Sequence, residues 1–192
     1  MAVDVAGILG GDLDLLVQQF LALDVVSVFC KPLAENDNSK QQVYLGGSFD
    51  VVQMLPFEEV IACTDVKEPN YKARLDFYWL YDRGQIEKAE GAQLILYPQY
   101  PEVRLSGFLK GCRHAPNEFL RPVPAEERQH NNEPDGRVLF FGITSDRRIL
   151  AWLAPADSTL AQEFWTKARH GQFEESSVFY VIPLPTVDSK IL

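Results

Sequence analysis

From Asp12 to Leu23 the large apolar residues fall three and four positions apart, at Leu13, Leu16, Val17, Phe20 and Leu23. That spacing draws one stripe along a helix, and Asp12, behind two glycines, suits its N-cap. At Val25 the character changes. Val25-Val-Ser-Val-Phe-Cys30 is β-branched and aromatic, which predicts a strand. Residues 34–42 contain no large apolar side chain, so they predict an exposed loop or arm rich in amide and hydroxyl groups. That is longer than the roughly two to five residues usual for a hairpin loop. Asn and Asp also favour plain solvated turns, so both readings of the segment stand.

Val43-Tyr-Leu45 predicts a short strand, and Phe49 to Leu55 a short helix stopped by Pro56. Tyr71 to Tyr81 reads as one long aromatic strand, turned by Asp82-Arg83-Gly84, with Gln93-Leu-Ile-Leu-Tyr97 returning. In Glu102-Val-Arg-Leu-Ser106 polar and apolar residues alternate. Glu102, Arg104 and Ser106 therefore share one face of a strand, and Val103 and Leu105 the other. Residues 111–136 hold four prolines among many polar groups and predict a long flexible loop. Arg137 to Ile143 and Ile149 to Leu153 predict a hairpin across Ser145-Asp-Arg-Arg148. Asp157 or Ser158 caps a helix running to about Arg169, with Leu160, Phe164 and Trp165 on its apolar side. Ser177 to Ile182 predicts a last strand, broken by Pro183. About seven antiparallel strands with two or three short helices favour a mainly β, α+β domain built as a closed or nearly closed barrel, which removes sheet edges.

The chain has 192 residues, enough for one domain with its own core. No apolar run reaches the roughly 20 residues that span a bilayer, and the start lacks the basic region of a secretory signal. Cys30, Cys63 and Cys112 are odd in number and widely spaced, which predicts reduced thiols in a cytoplasmic protein and no structural zinc. The net charge of −9 counts against a non-specific nucleic-acid binder. The acidity is uneven, however. The first 39 residues carry six acids and one base, and from Lys40 to Arg113 the signs nearly balance. A locally neutral or basic face on an acidic body would lower background affinity and place more weight on specific contacts.

The pair Glu102 and Arg104 admits two readings. The two side chains can simply neutralise each other on an exposed strand, where ion pairs contribute little. Alternatively they can read bases: a carboxylate accepts from the cytosine amino group, and an arginine forks onto the two acceptors of guanine. A metal-dependent nuclease would need several carboxylates and a lysine on neighbouring strands. Asp76, Asp82 and Glu102 could supply acids, but the acid-x-Lys ending is missing, and Glu87-Lys88 point to opposite faces. No Ser-His-Asp order, Gly-rich phosphate loop or His-rich metal cluster is present. A third class is a protein-interaction module that uses Phe77 to Tyr81 as an adhesive edge.

Four segments, in order, resemble one family. Lys31-Pro-Leu-Ala-Glu-Asn-Asp followed by Gln42-Val-Tyr-Leu45 is similar to its first arm and the next strand. Lys72-Ala-Arg-Leu-Asp-Phe-Tyr-Trp79 resembles the strand before its second arm. Glu102-Val-Arg-Leu-Ser106 matches that second arm, and Arg137-Val-Leu-Phe-Phe-Gly142 the strand closing its barrel. The family is the N-terminal effector, or DNA-recognition, domain of EcoRII-type restriction endonucleases, and the resemblance implies its seven-stranded open pseudobarrel, found also in a plant transcription-factor domain.

The resemblance implies a module that grips the major groove of double-stranded DNA with two arms, binds as a monomer, and recognises a CCWGG-like site. It implies base reading by Glu102 and Arg104 and, from the first arm, by Asn36, Asp37, Asn38, Ser39, Lys40 and Gln41. Gln99, Tyr100 and Ser106 would support them or touch the backbone. Lys110, Arg113, Lys167, Arg169 and His170 are candidate phosphate anchors. The second arm is less basic than the family pattern, and Gln41 stands where a histidine is common. The expected role is a non-catalytic effector of a type IIE restriction-modification enzyme in the bacterial cytoplasm. It would need no cofactor of its own; a linked nuclease domain of MvaI/BcnI type would follow and would use Mg²⁺.

Overall fold

The computed structural model describes residues 12–33, 37, 42–46, 55, 60–63, 70–81, 84–97, 102–109, 136–175 and 179–185. Helix α1 (Asp12–Ala22) leads into β1 (Val25–Pro32) and β2 (Val43–Tyr44). Next come β3 (Val60–Cys63), β4 (Asn70–Arg74), β5 (Phe77–Tyr81), β6 (Gln85–Lys88), β7 (Gln93–Tyr97) and β8 (Glu102–Ser106). The chain then forms β9 (Val138–Thr144), β10 (Ile149–Ala154), α2 (Thr159–Arg169), β11 (Glu174–Glu175) and β12 (Tyr180–Ile182). The helix expected over 49–55 lies outside the described residues except Leu55, and so does the loop expected over 111–136 except Gly136.

The strands form two sheets. One is seven-stranded, in the order β11-β12-β1-β9-β10-β5-β6, and the other five-stranded, in the order β2-β8-β7-β4-β3. The larger sheet is mixed, because β5 runs parallel to β10. It is open: its edge strands β11 and β6 do not meet. The fold is mainly β with two helices among the described residues, an open α+β pseudobarrel as the resemblance implies; the closure that the strand count favours does not occur, since β11 and β6 remain edges. The short strands β3, β6 and β11 add to those read from the sequence.

Strand alternation sorts the large sheet's side chains onto two faces. Val28, Cys30, Phe140, Leu150 and Leu80 face α1 and α2, where they join Leu13, Leu16, Val17, Phe20, Leu160, Phe164 and Trp165. Phe29, Leu139, Phe141, Ile149, Ala151, Phe77 and Trp79 face the smaller sheet and meet Val43, Ala73, Leu94, Leu96, Val103 and Leu105. The body is therefore layered: helices, large sheet, small sheet. Each fully buried aromatic or aliphatic side chain adds about 1.5–3 kcal/mol, and the rings are paired with good geometry. Phe29 stacks on Phe141 at 4.9 Å, and Phe164 lies 5.7 Å from Phe140 and 5.2 Å from Trp165. Two indole N–H groups are bonded to main chain, Trp79 donating to the Phe108 carbonyl at 2.8 Å and Trp165 to that of Gly136 at 2.9 Å.

The helices follow their sequence signals. Ser158 Oγ accepts from the Ala161 N–H at 3.2 Å, as an N-cap does. At the start of α1 the Leu13 N–H is taken by Glu163 of α2, at 2.9 Å.

The stretch Tyr71 to Tyr81 is not one strand. It bends at Leu75-Asp76, so β4 belongs to the small sheet and β5 to the large one. The returning chain bends with it: β6 pairs with β5 and β7 with β4. Leu75 N–H to the Ala92 carbonyl (3.0 Å) and Ala89 N–H to the Phe77 carbonyl (2.8 Å) hold the pair together through the corner. The Asp76 carbonyl accepts from Ile149 N–H at 2.8 Å, which starts the parallel pairing. The inside of the corner is tight. Gly107, with φ +70°, sits so that an added Cβ would lie 2.2 Å from the Gly91 carbonyl oxygen.

Gly107→Ala therefore combines a left-handed backbone with a clash against main chain. We expect it to cost about 3 kcal/mol or more. The check is the urea midpoint; an unchanged midpoint would mean that the corner tolerates a Cβ.

Candidate nucleic-acid interface

β8 lies between β2 and β7. Val103 and Leu105 point into the core, which turns Glu102, Arg104 and Ser106 to the outer face of the small sheet. In register with them on that face are Tyr97 opposite Glu102, Ile95 and Tyr44 opposite Arg104, and Gln93 opposite Ser106. The alternation read from the sequence thus places the polar trio together and outward.

Arg104 is fixed by its neighbours. Its Nε–H and one Nη2–H both donate to Glu102 Oε2, at 2.9 and 2.6 Å. One Nη1–H donates to Gln42 Oε1 at 3.3 Å. The guanidinium carbon lies 5.7 Å from the centre of the Tyr97 ring, a cation–π distance. Arg104 keeps 22% and Glu102 33% of side-chain surface exposed. A guanidinium has about five N–H donors, so this arrangement leaves two of them for a ligand. The pair alone, half-exposed, contributes little to stability. Its effect is orientation: a planar donor group is held edge-on beside a carboxylate.

The first arm is anchored at its base. Lys31 lies on the face of β1 that looks between the sheets, where an ammonium needs a partner. Its Nζ is 3.4 Å from Asp37 Oδ2 and 2.5 Å from the Pro32 carbonyl oxygen. Both side chains of the pair are only 3% exposed. The other oxygen, Asp37 Oδ1, accepts the Tyr44 N–H at 2.8 Å, and the Asp37 carbonyl accepts the Gln42 N–H at 3.1 Å. Asp37 therefore faces inward and spends both carboxylate oxygens inside the protein. It holds Gln42 and β2 in place, and through Gln42 it positions Arg104.

The remaining candidates divide by position. Lys167, Arg169 and His170 belong to the end of α2, on the far side of the large sheet from β8. One DNA groove cannot touch both places. Lys167 is also engaged, 3.3 Å from Asp14 and 3.1 Å from Glu163. Partial burial would lower its pKa, but the bonds to Glu163 and Asp14 outweigh that and hold it above the ordinary lysine value. His170 Nδ1 lies 2.7 Å from the Thr166 carbonyl oxygen. Asn36, Asn38, Ser39, Lys40, Gln41, Gln99, Tyr100, Lys110 and Arg113 lie outside the described residues. Gln42 and Tyr97 were not singled out from the sequence, although Gln42 ends the polar arm and Tyr97 ends the strand before Glu102. Among the described residues, no three His, Cys, Asp or Glu side chains converge on one metal position, and no helix is long and apolar enough to cross a membrane.

Removing one partner of the buried pair strands the other. We expect Asp37→Ala to destabilise by about 3–5 kcal/mol, and Lys31→Met with Asp37→Leu to recover most of that loss. A double-mutant cycle by urea unfolding checks it; additive effects would show that the pair is not coupled. The sequence matches no protein-family model, and no curated protein matches it.

Proposed function

We propose that this chain is a recognition module that reads a short double-stranded DNA site through the outer face of β8. The observation that carries the reading is the Glu102–Arg104 pair, oriented outward and partly exposed on a paired strand. Arg104 has two N–H donors left over, and a fork of two donors suits the O6 and N7 acceptors of guanine. Glu102 spends Oε2 on Arg104, and its Oε1 is the acceptor that suits a cytosine amino group. Side by side the two residues address a C·G step in the major groove. Gln42 and Tyr97 hold the guanidinium in plane, so less side-chain entropy is lost on binding.

The resemblance to EcoRII-type effector domains supports the wider reading. In it, the module binds a CCWGG-like duplex as a monomer, and the polar arm at Asn36, Asn38, Ser39, Lys40 and Gln41 would reach for the other side of the groove, with the inward-facing Asp37 as its anchor and not a base reader. Cleavage is the work of a linked nuclease domain that uses Mg²⁺. DNA bound to the module would favour the active arrangement of that domain, as any coupling between two sites requires.

The test is a gel-shift titration with a CCWGG duplex and a scrambled duplex, with and without Mg²⁺. Selective binding that needs no metal and leaves the DNA intact is expected. Arg104→Ala should cost specific binding about 1–3 kcal/mol and relax discrimination at one guanine. Arg104→Lys, which keeps the charge and loses the fork, should retain general affinity and lose selectivity. Selectivity that survives Arg104→Ala would refute base reading by β8.

A further inference from the structure

The small sheet carries its outer face well beyond β8. In the order β8-β7-β4, Arg104 stands in register with Ile95, and Ile95 with Lys72. In the next row Ser106 stands opposite Gln93, and Gln93 opposite Arg74. Residues in register across antiparallel strands share a face, so Lys72 and Arg74 lie on the same side of the sheet as Arg104. Ala73 between them is fully buried and points into the core. Arg74 is exposed and Lys72 half-buried. Among the described residues this face holds three cations, Arg104, Lys72 and Arg74, and one carboxylate, Glu102. In a chain of net charge −9 that is a reversal of sign, and among the described residues no carboxylate forms an ion pair with Lys72 or Arg74.

We propose that Lys72 and Arg74 are a phosphate-binding row for the sugar–phosphate backbone of the duplex whose bases Arg104 reads. The inference rests on the DNA reading above and adds the contacts that the weakly basic second arm lacks. Spacing supports it. Two strand separations place the Lys72 backbone about 10 Å from that of Arg104, and the major groove is about 12 Å wide. With Arg104 at the base edges, the β4 cations meet the groove wall, where phosphates lie. Lys72 and Arg74 are two residues apart on one strand, about 7 Å, so they follow the backbone instead of crowding one phosphate. Gln93, on β7 between Ser106 and Arg74, is a neutral donor and acceptor for the same strand.

The test measures duplex binding against salt, with the selective and the scrambled duplex, for the intact chain and for Lys72→Gln with Arg74→Gln. Each phosphate contact contributes about 0.9 to the slope of log K against log salt. The double variant should therefore flatten the slope by about 1.8 for both duplexes. The fall in affinity between 50 and 200 mM salt should then be about tenfold smaller, with the preference for the selective duplex unchanged. Lys72→Arg with Arg74→Lys should keep the wild-type slope, which separates charge from packing, and matched melting curves confirm the fold. An unchanged slope in the double variant, with selectivity intact, would overturn the row and leave the Arg104 reading standing. A flattened slope in a chain that never shows selectivity would keep the row and remove base reading. No binding to either duplex, or equal displacement from DNA by polyglutamate and by competitor duplex in the intact chain and the double variant, would overturn both.

Discussion

A strand pair can serve two sheets only if it turns a corner without losing its hydrogen bonds, and residues 70–97 meet that condition. Their paired backbone passes from β4–β7 to β5–β6 through the bonds of Leu75 to Ala92 and Ala89 to Phe77. Everything else is arranged around this bend. It sets the small sheet across one face of the large sheet, and so leaves the other face for α1 and α2. It requires Gly107 to pass against the Gly91 carbonyl, which fixes where β8 ends. It also gives β10 a carbonyl, that of Asp76, on which to begin pairing parallel to β5.

The same bend separates the electrostatics of the molecule. On the helical side cations are held by carboxylates, as Lys167 is by Asp14 and Glu163. Among the described residues on the outer face of the small sheet the cations outnumber the acid, and that acid, Glu102, is bound to Arg104. An acidic body with one cationic face disfavours indiscriminate attraction to polyanions while leaving a local site for one. The buried Lys31–Asp37 pair joins the two halves of this design. It ties β1 of the large sheet to the arm, and the arm through Gln42 to Arg104.

Local periodicity was readable wherever one element has one buried face. The stripe of α1, the cap and stripe of α2, the hairpin of β9 and β10 and the alternation of Glu102 to Ser106 all follow from residue spacing alone. The corner was not readable on β4–β5, because Ala73, Leu75, Phe77 and Trp79 keep their period of two through the bend and face one core throughout. Its mark is on the opposite strand, in Glu90-Gly91, where Gly91 takes φ +92°. Asp37 looked like a polar arm residue among others; its burial depends on a lysine six positions earlier whose strand direction places it between the sheets. Lys72 and Arg74 gained meaning only from register, since nothing in the spacing between residues 72 and 104 says that they share a face.

The position of β1 has a consequence for how the chain acquires its fold. Among the described residues it is the first strand in sequence, yet it lies inside the large sheet, between β12 and β9. Its partners are residues 138–144 and 180–182, so every one of its ladders closes a loop of more than a hundred residues. The hairpin at 70–97, by contrast, pairs with itself. Search time rises with the sequence separation of the contacts, so the bent hairpin is the piece able to form early, and β1 is the piece that must wait. Until β9 arrives, Val28, Phe29 and Cys30 lack the strand that flanks them in the large sheet, and α1 lacks the part of its floor that Phe140 and Leu150 provide. The segment from Asp12 to Pro32 is therefore secured only after partners more than a hundred residues away are in place.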